Sequence, residues 1–191
     1  MIVVREITAD DWELMRDVRL AALAESPSAF GSSYAREVAF TEEQWRGRIS
    51  ERSVTFFAHE ATSLALGVRI RGRTVLTDSL ASSLTEEPAG AASAGKVPAG
   101  LAGVYVEDGA ANLVSMWVSP AARGLGAGKA LVQAAAAWAK ANDFGTLFLW
   151  VTESNTSARR LYEGCGFTPT GQRQPLPSDP AIPEIAMSRT L

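Results

Sequence analysis

Residues 119–131, SPAARGLGAGKAL, place three glycines and two cations between an apolar strand-like run, NLVSMWV, and an amphipathic helical one. A strand that feeds a glycine-rich turn into a helix N-terminus makes an anion site, because successive backbone N–H groups point outward and the helix dipole adds favourable potential. Glycine is needed there because a Cβ would hold phosphate oxygens away from those donors. A second continuously apolar run, TLFLWV, follows the helix. Strand 113–118, helix 124–142 and strand 146–151 therefore form a βαβ-like unit with its two strands parallel.

Spacing excludes two nucleotide motifs. A Walker A loop needs glycine five residues before its Gly-Lys pair and a hydroxyl after it; Gly128-Lys129 has Arg123 upstream and Ala130 downstream. A dinucleotide fingerprint begun at Gly124 meets Lys129 where its last glycine belongs, and one begun at Gly126 meets Leu131.

Around this unit the chain reads as strand IVVREI, then a helix over TADDWELMRDVRLAAL capped by Thr8 or Asp10, and a surface loop over residues 25–40. A capped helix, TEEQWRGRIS, and a strand, SVTFFAHE, come next. In residues 61–100, Arg69, Arg71 and Arg73 alternate as on one side of a strand, after which an Ala/Ser/Gly/Pro-rich tail reads as a flexible or irregular insertion. GLAGVYVED and NLVSMWV pair as a hairpin about Asp108-Gly109. Leu125, Leu131, Ala135 and Trp138 form the packing stripe of the long helix, and TLFLWV reads as a strand buried on both faces. ESNTSARRLYEGCGF is a short capped helix ending at Gly164 or Gly166, and FTPTGQR with EIAMSRTL closes the sheet across a Pro-rich loop, 174–183.

Two motifs carry a resemblance. Arg123, Gly126 and Gly128 match an Arg/Gln-x-x-Gly-x-Gly/Ala signature, and beyond the next strand Asn155, Ala158, Tyr162, Gly166 and Phe167 match Asn-x-x-Ala-x-x-x-Tyr-x-x-x-Gly-Phe. Both, in this order about a βαβ unit, resemble the GNAT superfamily of N-acetyltransferases. The resemblance is strong over residues 101–191 and looser over 1–60; residues 61–100 depart from it, because a short turn usually joins the second and third strands of that fold.

The resemblance implies an α/β fold of one domain over residues 1–191: a mostly antiparallel twisted sheet with a central, splayed parallel pair, flanked by helices. It implies acetyl-CoA as acyl donor, bound by Arg123, Gly124, Leu125, Gly126, Ala127, Gly128 and Lys129 at its phosphates, by backbone near Met116, Trp117 and Val118 along its pantetheine arm, and by Asn155, Ala158 and Tyr162. Transfer to a primary amine is then direct, through a tetrahedral oxyanion that backbone N–H donors stabilise. Tyr162 is the implied acid for the leaving thiolate. An alkyl ammonium must lose a proton first; Ser115, Glu37, Glu107 and Glu153 all remain open as the group that accepts it.

Composition narrows partners. A net charge of −3 gives no global pull toward nucleic acid. One cysteine, Cys165, and one histidine, His59, leave too few soft ligands for a Cys/His zinc site. His59 reads as a strand residue and Cys165 as a small packed hydrophobe. Phe30, Tyr34 and Trp45 either line a substrate cleft or pack. The N-terminus lacks a signal-peptide pattern and no run is long enough to span a membrane, which points to a cytoplasmic protein, with a homodimer as one compatible assembly. The expected function is acetyl transfer to an amine of a small molecule, peptide or protein; the contrasting one is a non-catalytic CoA-binding sensor or interaction module.

Overall fold

The computed structural model describes residues 1–49, 53–61, 68–70, 73–75 and 98–191. Its elements are β1 (Ile2–Glu6), α1 (Trp12–Glu25), α2 (Tyr34–Glu37), α3 (Glu42–Gly47), β2 (Ser53–Glu60), β3 (Val68–Ile70), β4 (Arg73–Val75), β5 (Gly100–Glu107), β6 (Ala110–Val118), α4 (Ala127–Ala141), β7 (Thr146–Thr152), α5 (Thr156–Gly164), β8 (Thr168–Leu176) and β9 (Asp179–Thr190). The strands form one sheet in the order β4-β3-β1-β2-β5-β6-β7-β9-β8. Its pairings are antiparallel except β1 with β3 and β6 with β7.

Side-chain periodicity decides which helix covers which face. Leu131, Val132, Ala135 and Ala139 recur at helical spacing along α4 and pack on Leu113, Leu147 and Leu149 of β6 and β7. Met15, Val18 and Leu23 of α1 and Trp45 of α3 cover the other face over Phe57, Leu101 and Trp117. Each fully buried leucine contributes about 2 kcal/mol of apolar burial. The backbone amide of Thr8 donates to Asp11 Oδ2 at 2.9 Å, a capping box that starts the helical turn before α1.

The Asp108-Gly109 hairpin forms with both residues at positive φ, 50° and 77°, as a tight two-residue turn requires. β2 and β5 pair directly from Ser53↔Tyr105 to Ala58↔Gly100, so the insertion leaves that ladder whole. Within the insertion, the arginine-bearing run is two strands rather than one: β3 lies parallel to β1 and β4 returns antiparallel along it. The expected irregular stretch otherwise lies outside the described residues.

Three further expectations change. The Pro-rich loop 174–183 is largely strand, with Pro175 opposite Pro183. This is possible because β8 is an edge and β7 pairs with β9 only from Glu184 onward, so the prolines break no central ladder. TLFLWV is buried on one face only: Leu147, Leu149 and Val151 face α4, while Trp150 is 36 % exposed on the other side. The segment 25–40 is no simple surface loop, since Phe30 and Glu37 within it are buried.

Candidate active site

β6 and β7 pair from Ala111↔Leu147 to Leu113↔Leu149 and then separate, although both strands continue. The cause lies in β6. Its register with β5 slips between Trp117↔Leu101 and Val114↔Gly103, and Ser115 takes φ 55°. Such a bulge bends a strand and increases its twist. The opening is a cleft of about 730 Å³ that passes through the sheet. One mouth lies between the N-termini of α4 and α5, the other under Phe30 and beside Val114 and Trp150.

At the first mouth the chain turns through Gly124 (φ 80°) and Gly126 (φ 88°), the residue that precedes α4. A Cβ on either glycine would project into open space. The first amides of α4, at Ala127, Gly128 and Lys129, have no intrahelical acceptors and lie at the cleft. Gly128 packs tightly: a Cβ there would come within 2.9 Å of Leu161 Cδ2. Arg123 is anchored, donating from Nη2 to Glu25 Oε2 at 2.7 Å and from Nε to the Val118 carbonyl at 3.2 Å. The same Glu25 oxygen accepts from Trp117 Nε1 at 3.1 Å and from Ser26 Oγ. The Ser26 hydrogen bond, then those from Trp117 and Arg123, hold the Glu25 carboxyl below the usual carboxylate range.

Asn155 precedes α5, and its side chain accepts from the Ala158 amide at 3.1 Å. Tyr162 lies on the cleft and in the core at once, with its ring 5.9 Å from that of Phe167. Burial pushes its phenol well above the ordinary tyrosine value. After Gly164 the chain passes through Gly166 at φ 88°, and Phe167 N donates to Tyr162 O at 3.0 Å, which closes the helix end beneath the cleft.

The sequence-derived residues Met116, Trp117, Val118, Arg123, Gly124, Gly126, Ala127, Gly128, Lys129, Asn155, Ala158 and Tyr162 all line this one cleft. Leu125 does not. It is 57 % exposed and precedes α4, because the positive φ angles on either side turn its side chain away from both the cleft and the helix stripe.

The acetyltransferase (GNAT) family model matches residues 68–167. The chain belongs to the GNAT acetyltransferase family. It is accordingly an N-acetyltransferase whose acyl donor is acetyl-CoA. No curated protein sequence matches it. Among solved structures it is similar to the ribosomal-protein-S18-alanine N-acetyltransferase of Escherichia coli, at 18 % identity and TM-score 0.60 over 100 % of this chain and 94 % of that one. It is also similar to a GCN5-related N-acetyltransferase of Kribbella flavida, at 23 % identity and TM-score 0.61 over 100 % and 98 %. A third is PaiA N-acetyltransferase of Thermoplasma acidophilum, solved in complex with coenzyme A, at 13 % identity and TM-score 0.64 over 100 % and 99 %. Likeness at these identities concerns the fold.

In this GNAT chain the second mouth is held by charge. Arg19, 4 % exposed, donates from Nε and Nη2 to Glu37 at 3.0 and 2.9 Å and from Nη1 to Ser115 Oγ at 3.5 Å, with its guanidinium 4.5 Å from the Phe30 ring. Burial alone would raise the Glu37 carboxyl, but the Arg19 hydrogen bonds and the Arg19 and Arg48 charges hold it below the usual range. Glu37 is thus committed to structure, and Glu153 is paired with Arg173 at 2.9 Å. Of the three aromatics left open by sequence, Phe30 lines the cleft, Trp45 packs in the core and Tyr34 is exposed. Sequence reasoning missed Arg19 and Glu25, whose partners Glu37, Ser115, Trp117 and Arg123 lie far along the chain and leave no spacing signal.

Proposed function

We propose that this GNAT enzyme moves the acetyl group directly onto a primary amine of a small molecule, peptide or protein, with the donor entering between α4 and α5 and the acceptor from the mouth under Phe30. The observation that carries this reading is the single cleft through the sheet, which joins the glycine cradle, the bulged strand and Tyr162. An acyl-CoA fits those residues. The cradle offers open space at Gly124 and Gly126, unsatisfied helix amides and two cations, Arg123 and Lys129, to a pyrophosphate. Backbone groups at Met116, Trp117 and Val118, on the part of β6 beyond its last pair with β7 at Leu113, can bond an extended amide-bearing arm and stabilise charge developing on the thioester oxygen. Asn155 and Ala158 would flank that arm.

Tyr162 is the proposed proton donor to the leaving sulfur. Its raised pKa keeps the phenol protonated across the neutral range, so a donor is always present; phenolate is costly there, so the proton shed by nitrogen as C–N forms must return to it. The Arg19 contact to Ser115 holds the bulge that aims the backbone donors. The test is thiol release from acetyl-CoA against an amine panel, with N-acetylated product identified by mass. Amine-dependent release in wild type, lost in Gly126→Val, supports the reading; donor binding with no release for any amine favours a sensor.

A further inference from the structure

The acceptor mouth of the cleft has an apolar floor that runs across four strands. On the sheet face away from α4, Gly103 of β5 pairs with Val114 of β6, and Trp150 of β7 pairs with Ala186 of β9. The β6–β7 ladder ends at Leu113↔Leu149, so Val114 and Trp150 stand one residue beyond it, on either side of the point where the strands part. Both line the cleft, and both are large apolar side chains left open, Val114 at 39 % exposure. Their cross-strand neighbours explain why: Gly103 brings no side chain, a Cβ there reaching 3.3 Å from Val114 Cγ2, and Ala186 brings only a methyl group. The wall over this floor is fixed. Phe30 lines the cleft with its ring against the Arg19 guanidinium, its carbonyl accepts from Ser178 Oγ at 2.6 Å, and the turn Pro27–Ala29 packs on β7. Paired open apolar side chains at the mouth of a preformed cleft are the mark of an apolar ligand.

Charge points the same way. Among the described residues that line the cleft, the charged ones are Arg123 and Lys129, both at the donor mouth. Behind the acceptor wall stands the Arg19 guanidinium, bonded to Ser115 Oγ, and the Glu37 carboxylate that pairs with it is shared with Arg48 at 3.4 Å, so this cluster carries a net positive charge. A second ammonium on the acceptor would lose water here and meet a like charge. We propose that Trp150 and Val114 select the acceptor, and that the class they select is a monoamine carried on an aromatic ring, which lies over Val114 and against the Trp150 indole, rather than a polyamine or other polycation. This rests on the transferase reading above and names the substrate class of that same site. Phe30 closes the slot from the other side.

The test measures kcat/KM with acetyl-CoA for 2-phenylethylamine, ethylamine and 1,4-diaminobutane. In wild type, phenylethylamine should exceed each of the other two by about thirtyfold, the factor that burial of one ring supplies. Trp150→Ala should bring the phenylethylamine-to-ethylamine ratio close to one, and Trp150→Phe should keep most of it. Trp150→Glu, which places a counter-charge at the mouth, should raise the diaminobutane-to-phenylethylamine ratio by at least about a hundredfold over wild type. A wild type that prefers diaminobutane, or a phenylethylamine-to-ethylamine ratio that Trp150→Ala leaves unchanged because both rates fall together, overturns the proposal while leaving the transferase reading intact. A wild type that releases thiol with none of the three amines overturns the transferase reading itself.

Discussion

Tyr162 combines two demands that usually conflict, since it packs against Phe167 in the core while its ring lines the cleft. Replacing it with phenylalanine keeps the packing and removes the proton. Tyr162→Phe should therefore lower kcat by about a hundredfold with acetyl-CoA affinity nearly unchanged, as steady-state kinetics and calorimetry would report. Because burial raises the phenol pKa, loss of its proton should not depress kcat anywhere below pH ~10, the ordinary tyrosine value. Gly126→Val should abolish donor binding, measured by titration with CoA, since a β-branched residue at φ 88° is strained and its side chain would occupy the phosphate space. Tyr162, Asn155 and the glycines were legible in the sequence because their roles depend on short, ordered spacing. Arg19 was not: what identifies it is burial plus a partner brought in by the fold, Ser115 on a different element.

At the level of elements, the cleft exists because one strand is irregular. Leaving β5 and β6 fully in register would hold β6 beside β7 to their ends, with no gap for a donor. Gly100 guards this arrangement, for a Cβ there would stand 2.5 Å from the Trp117 carbonyl and 3.2 Å from Leu131. Gly100→Ala should destabilise the fold by about 1–3 kcal/mol, seen as a lower urea midpoint, and weaken acetyl-CoA binding by displacing Trp117 and its neighbours. β6, α4 and β7 could be read from hydrophobic period and the glycine junction, and the structure places α4 at Ala127–Ala141 within the expected span. The bulge could not, because φ 55° at a serine has no composition signal. Nor could the strand character of residues 174–183, where proline content argues for a loop until the edge position of β8 is known.

Across the whole molecule, the buried Arg19–Glu37 pair joins α1, α2 and the bulge of β6. Its stabilising effect is sign-determined. The Glu37 carboxyl is lower in the folded state than in the unfolded chain, so its contribution is complete at neutral pH and is lost on acidification from about pH 4.5 downward through its folded value. Glu37→Gln leaves a buried guanidinium without its counter-charge and should cost about 3–5 kcal/mol, with Tm falling most at neutral pH and converging on wild type in acid. Donor binding acts on the same scale: acetyl-CoA should raise Tm in wild type in proportion to the logarithm of its concentration. The mostly antiparallel sheet with its central parallel pair followed from the family resemblance, whereas the strand order did not, and the alternating arginines pointed to one strand where β3 and β4 stand beyond β1.

That the cleft joins a CoA thioester to an amine is tested by thiol release from acetyl-CoA, followed with and without each amine of a panel and matched to the mass of the product. One equivalent of N-acetylated amine per thiol released is expected, with the rate lost in Gly126→Val and strongly reduced in Tyr162→Phe. Stoichiometric acetyl-CoA binding with no amine-dependent release, or release that persists unchanged in both variants, would contradict it.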